Sequence, residues 1–215
     1  MKSVGVIGLG YVGLPTAIGF HDAGFNVWGV DVSQRSVEMI LRGENPTGDP
    51  DVDDIIPQPG ADRWNITMST EEAVPQCDAV LVTVPTPITH DLKPDLSYVA
   101  AAGRAVFEAI PKGSNTIVVL ESTVYPGVTQ KFTQQLEKKT KMVNNQDFYV
   151  CYSPERINPG DKKNELSKID KILAYDGKSK IIKKKLSLIY SKICKNLIFT
   201  NKIKEAETAK GIENI

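Results

Sequence analysis

The sequence predicts an α/β fold built on a doubly wound, mostly parallel sheet, and two observations lead to this prediction. Short runs rich in β-branched residues alternate with stretches of helical periodicity along all 215 residues, as in chains built from repeated strand–helix–strand units. Several runs are continuously apolar, such as Ala79–Val84 and Thr116–Leu120, which is typical of strands that helices cover on both faces. The length suits one large domain, or one domain and part of a second.

Eight strands are predicted from short apolar runs that turn residues separate. In chain order they are Val4–Gly8, Asn26–Asp31, Asn65–Met68, Ala79–Val84, Thr116–Glu121, Phe148–Tyr152, Ile169–Tyr175 and Leu197–Thr200. Five helices are predicted between them from apolar residues that recur every three or four positions. They are Leu14–Ala23, Ser33–Arg42, Leu96–Ile110, Gly127–Lys139 and Ser179–Ile193. Ser33 is expected to cap its helix, and Gly24 to end the first one.

Two further segments complete the predicted organisation. Residues Gly43–Arg63 are rich in Pro, Gly and Asp, and we expect a loop there with one short helical turn. Lys202–Ile215 has helical composition and contains no stop signal. We therefore expect residues 1–201 to form one domain, and residues 202–215 to begin a long inter-domain helix that this chain does not complete.

Charge is unevenly distributed although the formal net charge is zero. Residues 1–161 contain 12 Lys and Arg against 20 Asp and Glu, whereas residues 162–215 contain 14 Lys against 6 acids. The lysines stand among Ile and Leu at helical spacing, which favours a solvated helix face over a surface for an anionic partner. We therefore expect no nucleic-acid partner.

Metal binding, export and membrane insertion are not predicted. Cys77, Cys151 and Cys194 are far apart and form no Cys-x-x-Cys pair, which disfavours a zinc site and a disulfide framework. Ser3–Phe20 contains no charge and resembles an export signal or membrane span, but five glycines and one proline interrupt it and no cleavage sequence follows. We expect a cytoplasmic protein with no membrane partner.

A glycine-rich turn follows the first predicted strand and precedes a helix. Gly8, Gly10 and Gly13 form a G-x-G-x-x-G pattern. In a Rossmann-type dinucleotide site the first glycine permits the tight turn, the second lets the backbone approach the pyrophosphate, and the third lets helix and strand pack closely. The pyrophosphate then lies at the positive end of the helix. A strand–helix turn without a ligand is the alternative.

Asp31 favours the dinucleotide interpretation. It ends the second predicted strand, 18 residues after Gly13, where an acid can accept hydrogen bonds from both ribose hydroxyls of the adenosine. The carboxylate would repel a 2′-phosphate, so the predicted cofactor is NAD rather than NADP. Arg35 opposes this prediction, because an Arg near this position can accept that phosphate. We expect it instead to stack near the adenine or to lie in solvent.

Four further segments carry information about function. Three follow predicted strands, at the edge where doubly wound sheets bind ligands, and the fourth lies in the last helix. They are Val84–Pro87 (VPTP), Glu121–Gly127 (ESTVYPG), Cys151–Gly160 (CYSPERINPG) and Glu207–Asn214 (ETAKGIEN). Periodicity brings the first three to one edge and does not assign them a role.

In this order, GLGYVGLP, VPTP, ESTVYPG, YSPERINPGD and AExAKxxEN resemble the UDP-glucose/GDP-mannose dehydrogenase family. The resemblance covers essentially the whole chain, and the set is far more specific than any one motif. SPERINPGD is similar to the branch that acts on UDP-N-acetylhexosamines, because Pro159 stands where the UDP-glucose branch usually has a second acid. The resemblance implies oxidation of the sugar C6 hydroxyl to a carboxylate with two NAD, through a cysteine thiohemiacetal and thioester.

The resemblance also implies a role for each matching residue. Besides the glycine turn, those implied to contact NAD are Tyr11, Val12, Asp31, Arg35, Thr86 and Thr123. Thr123 would also belong to the catalytic set, in which Glu155 serves thioester hydrolysis. Those implied to contact the UDP-sugar are Arg156, Ile157, Lys210 and Asn214. Lys210 would stabilise the oxyanion or move a proton and Asn214 would help to hold that oxygen, because residues four apart share a helix face. A merely polar helix face is the alternative for both.

The chain departs from the family pattern at its nucleophile. The family's cysteine lies in a GGxC segment beyond the long helix, and this sequence has no such segment. Cys77, Cys151 and Cys194 are disfavoured as substitutes, since none stands near a glycine-rich turn or an obvious base. Cys77 is expected at the opposite edge of the sheet, and Cys151 as a small buried thiol.

The rest of the dimerisation region and the C-terminal UDP-binding domain are also absent from the sequence. We therefore expect an NAD-binding part that does not oxidise a UDP-sugar alone, and full-length relatives that form homodimers. Two other functions stay open. A non-catalytic NAD-binding module would explain the missing cysteine, but not the retained Lys210, Asn214 and Glu155. A β-hydroxyacid-type dehydrogenase would share the glycine turn and a lysine on a long helix, but not ESTVYPG or SPERINPG.

Overall fold

The computed structural model describes residues 2–91, 93–154, 170–177 and 179–213. Its strands are β1 (Ser3–Ile7), β2 (Asn26–Val30), β3 (Trp64–Thr67), β4 (Ala79–Val82), β5 (Thr116–Leu120), β6 (Phe148–Tyr152), β7 (Asp170–Tyr175) and β8 (Asn196–Thr200). Within the described residues they form one eight-stranded sheet in the order β3-β2-β1-β4-β5-β6-β7-β8. All eight strand predictions are confirmed, with ends that differ by at most two residues.

The helices are α1 (Gly13–Asp22), α2 (Gln34–Leu41), α3 (Pro50–Asp53), α4 (Thr70–Ala73), α5 (Ser97–Ala109), α6 (Val128–Thr140), α7 (Lys180–Tyr190) and α8 (Ile203–Glu213). A single 3₁₀ turn, Val74–Gln76, follows α4. The five helices predicted between strands are confirmed, and α3 is the short turn expected inside Gly43–Arg63. No helix in the described part of the chain has the length and apolar character needed to cross a membrane.

The sheet is doubly wound and mostly parallel, as predicted. Strand β1 lies between β2 and β4, so the chain leaves β1 in one direction and returns on its other side, which creates the crevice where such sheets bind ligands. Every neighbouring pair is parallel except β6 and β7, which pair antiparallel through Cys151 with Tyr175 and Tyr152 with Ala174.

Helices cover both faces of the sheet. One buried cluster contains Leu14 and Ile18 of α1 together with Ile182 and Leu186 of α7. The cluster on the opposite face contains residues of α5, α6 and α8, for example Val106. Because both faces are covered, every residue of β4 and β5 is buried. This burial explains the continuous apolar runs in the sequence.

Two local predictions about helix ends are confirmed. The Ser33 hydroxyl accepts a hydrogen bond from the Ser36 backbone N–H at 3.2 Å and so caps α2. Gly24 follows the end of α1 with a φ of +89°, a left-handed conformation that costs little only for glycine. Gly24 thus lies in the short connection from α1 to β2, and Ser33 in the one from β2 to α2.

The lysines of α7 form the solvated face that the sequence predicts. Lys180 and Lys184 are exposed. Two others lie against aromatic rings, since the Nζ of Lys183 is 5.0 Å from the ring centre of Phe199 and that of Lys185 is 5.3 Å from Tyr149. Their ammonium groups lie over these rings, and that of Lys185 also donates a hydrogen bond of 3.0 Å to the Asn115 carbonyl oxygen.

A buried ion pair links three elements beneath the carboxyl ends of the strands. The Lys171 Nζ on β7 lies 3.1 Å from a carboxylate oxygen of Glu121, and both side chains are inaccessible to solvent. The Tyr190 hydroxyl, at the end of α7, donates a hydrogen bond of 2.6 Å to the other Glu121 oxygen. Burial, together with the Glu121 charge, raises the pKa of Tyr190 well above its ordinary value. The phenol therefore stays protonated and acts as a donor.

Replacement of Lys171 by Met tests the importance of this pair. We expect the free energy of unfolding to fall by about 3 kcal/mol, because the Glu121 carboxylate stays buried after losing this cation. The double variant E121Q/K171M should recover more than half of the loss. Urea denaturation measures both, and Lys183→Met, which removes an exposed lysine, is the matched control with a loss below about 1 kcal/mol. Equal losses for K171M and K183M would contradict the assignment.

Candidate functional site

The glycine turn after β1 contains two glycines that the protein's own packing requires. Gly8 has a φ of +94°, and a side chain would be strained there. A Cβ on Gly13 would lie 1.7 Å from the Gly8 carbonyl oxygen and 2.6 Å from the Thr83 hydroxyl. Only glycine therefore allows α1 to begin directly against the end of β1.

Gly10 differs from both, because a Cβ placed there would meet no protein atom within 4 Å. Its φ is not in the left-handed region, so neither packing nor backbone strain explains the glycine. A bare turn needs Gly8 and Gly13 alone, whereas a phosphate-binding turn also needs the open backbone at Gly10. The turn therefore fits a dinucleotide better than the alternative without a ligand.

The start of α1 faces this open turn with its positive end. Among the described residues, no side chain caps the helix at Val12, and its first turn contains no acid. The positive partial charge of the helix terminus is therefore not compensated by these side chains. A phosphate group is the kind of ligand that such a terminus attracts.

Asp31 joins the glycine turn to the start of α2. One carboxylate oxygen accepts a hydrogen bond from the Leu9 N–H at 2.7 Å, and the other accepts one from the Ser33 N–H at 2.8 Å. The residue is only half-buried. A carboxylate has about four acceptor positions, so these two bonds leave capacity for hydroxyl donors. Asp31 thus fits its predicted role at the adenosine ribose and also holds the turn in place.

The ends of β4 and β5 are joined to each other and to the glycine turn by buried hydroxyl groups. Thr83 donates to the carbonyl oxygens of Ile7 and Gly8, at 3.0 and 2.8 Å. Ser122 donates to the carbonyl oxygen of Val84 at 2.6 Å. These bonds fix the loops that follow the two strands.

The structure places most of the predicted cofactor residues around this edge. Thr86 and Thr123 are half-buried on the loops after β4 and β5, which are neighbouring strands. Tyr11 is 51% exposed on the glycine turn, and Val12 is half-buried at the start of α1. Arg35 is exposed in the first turn of α2, two residues after the Ser33 cap.

The predicted catalytic and substrate residues are placed only in part. Lys210 is half-buried on α8, and that helix packs against α6, the helix that follows the Thr123 loop. The other four lie outside the described residues: Glu155, Arg156, Ile157 and Asn214. Their predicted roles therefore stay predictions.

The cysteines are in environments that disfavour a nucleophile. Burial raises the pKa of the Cys77 thiol to about 12 and raises that of Cys151 further. Cys77 precedes β4, at the edge opposite to the glycine turn, as the sequence predicts. Cys194 is 7% exposed. Within the described ranges, no cluster of three or more His, Cys, Asp or Glu side chains could hold a metal ion.

Three buried polar residues were given no individual role from the sequence, although two of them lie in the segments ESTVYPG and ETAKGIEN. They are Thr83, Ser122 and Glu207, whose carboxylate is completely buried. All three side chains are buried, and a buried polar group requires a hydrogen-bond partner. This signal marks them as structurally constrained, but it does not identify the partner.

Comparison with known proteins agrees with this geometry. A family model described as UDP-glucose/GDP-mannose dehydrogenase family, NAD binding domain, matches residues 2–194. UDP-N-acetyl-D-glucosamine 6-dehydrogenase of Pseudomonas aeruginosa is 37% identical over 213 residues, which are 98% of this chain and 48% of that protein. UDP-N-acetyl-D-mannosamine dehydrogenase of Pyrococcus horikoshii is 33% identical over 98% of this chain and 49% of that protein. The chain thus spans about half the length of the curated relatives it matches.

Solved structures have the same fold. UDP-D-ManNAc dehydrogenase from Pyrococcus horikoshii superposes with a TM-score of 0.86 at 32% identity, over 99% of this chain and 50% of that one. GDP-mannose dehydrogenase from Pseudomonas aeruginosa superposes with a TM-score of 0.90 at 26% identity, over 100% of this chain and 49% of that one.

Alanine substitutions at Gly10 and Gly13 should separate ligand binding from packing. Gly13→Ala forces a Cβ into the Gly8 carbonyl, and we expect a loss of about 3 kcal/mol or more in unfolding free energy. Gly10→Ala should change stability by less than about 1 kcal/mol and yet abolish NAD binding, because the methyl group occupies the pyrophosphate approach. Denaturation and calorimetric titration measure these effects. A G10A protein that binds NAD normally would contradict the interpretation of the turn.

Thiol labelling should report the raised pKa values. A pKa of about 12 leaves roughly one Cys77 in 10⁴ as thiolate near pH 8. We expect Cys77 and Cys151 to stay unlabelled by iodoacetamide in the folded protein and to react within minutes in urea. Site-resolved mass spectrometry distinguishes them. Rapid labelling of native Cys151 would restore it as a candidate nucleophile.

Proposed function

Because the chain belongs to the UDP-glucose/GDP-mannose dehydrogenase family, we propose that it is the NAD-binding half of a nucleotide-sugar 6-dehydrogenase. The proposed reaction is oxidation of the C6 hydroxyl of a UDP-N-acetylhexosamine to the uronic acid. The observation that carries the cofactor part is the open backbone at Gly10, which the fold itself does not require. The sugar part is supported by the SPERINPGD motif and by relatives whose names specify UDP-N-acetyl-D-glucosamine and UDP-N-acetyl-D-mannosamine.

The described residues that would contact NAD lie on both sides of β1, so the two ends of the cofactor would bind on opposite sides of this strand. The glycine turn and the start of α1 would hold the pyrophosphate, and Asp31 on the β2 side would accept from the adenosine ribose. Thr86 and Thr123 on the β4–β5 side would contact the nicotinamide end, because these strands lie across β1 from β2. NAD, when bound, accepts the hydride that leaves the sugar carbon.

On the substrate side, Lys210 is the described residue with a proposed chemical role. An ammonium group there would stabilise the oxyanion or move a proton as the C6 hydroxyl is oxidised. The helix that carries it packs against α6, which follows the loop of Thr123, and this supports the assignment. Glu155 in hydrolysis, Arg156 and Ile157 along the substrate, and Asn214 beside the oxyanion are proposed from the sequence resemblance.

The proposal also concerns the domains, the assembly and the location of the protein. Residues 1–201 would form the cofactor domain, and the helix after them would begin the connection to the half of the relatives that the chain does not span. A homodimeric assembly and a cytoplasmic location are further parts of the proposal. They depend on the resemblance to the family.

One observation favours a second candidate, a non-catalytic NAD-binding module. Cys77 and Cys151 are buried with raised pKa values, so neither is suited to act as the thiolate that the reaction needs. The retained lysine on α8 counts against this candidate, because NAD binding alone does not require the residue to which the family resemblance assigns a catalytic role.

Titration with both dinucleotides, followed by a turnover assay, tests the proposal. We expect the 215-residue chain to bind NAD at least about tenfold more tightly than NADP, since Asp31 repels the 2′-phosphate. Mixed with NAD and UDP-N-acetylglucosamine, the chain alone should produce no NADH absorbance.

Addition of the missing half of the Pseudomonas aeruginosa relative should produce NADH, and Lys210→Ala should lose at least about tenfold of that rate. Lys204→Ala, an exposed lysine of the same helix, is the matched control. Absence of NAD binding would refute the cofactor assignment. NAD binding with no turnover in the mixture would favour the non-catalytic module. NADH from the chain alone would show that this chain oxidises the sugar without the second half of its relatives, and would contradict the proposal.

A further inference from the structure

The loop that carries Thr123 connects β5 to α6 and is anchored at its first residues. Ser122 donates to the Val84 carbonyl oxygen at 2.6 Å, which ties the loop to the end of β4. Val124 is 4% exposed and belongs to the apolar cluster on the α5–α6 face. Between these two residues, Thr123 is half-buried at the site edge.

The same loop is anchored at its other end by a residue of α8. The Glu207 carboxylate accepts hydrogen bonds from the Gly127 N–H at 2.6 Å and from the Thr129 N–H at 2.9 Å. Gly127 is the N-cap residue of α6 and has no side chain that could accept these bonds. A helix normally receives this cap from its own N-cap residue. Here the cap comes from 80 residues away.

Burial and charge both strengthen the hydrogen bonds that Glu207 accepts. The side chain is completely buried, and both oxygens accept from backbone groups at the positive end of a 13-residue helix. Hydrogen bonds to a charged acceptor are roughly twice as strong as neutral ones, and the helix terminus favours the negative charge.

A second carboxylate, that of Asp176 after β7, links the start of α8 to α6. Asp176 accepts from the Ile203 N–H, at the start of α8, at 3.0 Å, and its other oxygen accepts from the Gln130 amide of α6 at 2.8 Å. The starts of α6 and α8 are therefore held together by two carboxylates. Lys210 follows Glu207 by three residues, so it lies on the same side of α8 one turn later.

We propose that Glu207 is a positioning residue that sets the Thr123 loop for the nicotinamide half of NAD and, through α8, sets Lys210 beside it. The inference rests on the proposed function and deepens it. Glu207 itself would contact neither the cofactor nor the substrate. The carboxylate acts through Gly127 and Thr129, and one interaction fixes both the cofactor loop and the helix that bears the catalytic lysine.

The test compares NAD with ADP as ligands of the 215-residue chain. ADP occupies the glycine turn and the Asp31 side alone, whereas NAD also reaches the loops after β4 and β5. Glu207→Gln should weaken NAD binding about tenfold and leave ADP binding within about twofold. Glu205→Gln, the same change two residues earlier on the exposed side of α8, is the matched control and should alter neither affinity.

NMR chemical shifts provide a second measurement beside the affinities. The Gly127 and Thr129 amide protons, bonded to a carboxylate, should resonate downfield in the NMR spectrum and shift upfield in E207Q but not in E205Q. If E207Q does not fold, Glu207→Asp keeps the charge on a shorter side chain and should still lower the ratio of NAD to ADP affinity.

The outcomes separate this inference from the proposed function. A wild-type chain that binds no NAD refutes the proposed function. A wild-type chain that binds NAD, with the same ratio of NAD to ADP affinity in E207Q, overturns the positioning role even if the melting temperature falls. Unchanged amide shifts at Gly127 and Thr129 would overturn it as well.

Discussion

The close approach of α1 to β1 at Gly13 is the constraint from which the rest of the site follows. A single Cβ would place an atom 1.7 Å from the Gly8 carbonyl oxygen, so the helix starts where it does only because that atom is missing. Its start then leaves the Gly10 backbone open and brings the Leu9 N–H to Asp31. In the proposed site, one contact between a strand and a helix would consequently set the positions of both the pyrophosphate and the ribose.

Around that contact, polar side chains at strand ends hold the edge in one arrangement. Glu121 pairs with the buried Lys171, and the next residue, Ser122, donates to the Val84 carbonyl oxygen. Thr123 follows them and is half-buried at the edge of the sheet. Buried polar groups are costly when unsatisfied, so alternative loop positions that break these bonds are disfavoured. The bonds of Glu121 and Ser122 to other protein groups thereby make this edge more rigid.

Sequence patterns predicted those features of the fold that depend on residues close together in the chain. The strands, the Ser33 cap and the position of Asp31 follow from periodicity, cap chemistry and spacing within about 30 residues. The bonds of Thr83 to Gly8, Ser122 to Val84 and Glu207 to Gly127 join residues 75, 38 and 80 positions apart. Sequence pattern identifies such polar residues as needing partners but contains no information about which distant group is available. The antiparallel pairing of β6 with β7 depends on the same kind of long-range contact.

The cap of α6 by Glu207 has a consequence for the order of synthesis on the ribosome. Strands β1 to β5 and the glycine turn are complete once about 120 residues have emerged, and domains fold largely from the N-terminus as they are made. The Gly127 and Thr129 amides, however, gain their acceptor only when residue 207 leaves the exit tunnel. The glycine turn and its contacts with Asp31 can therefore form early in translation, and the loop between β5 and α6 gains its final anchor last.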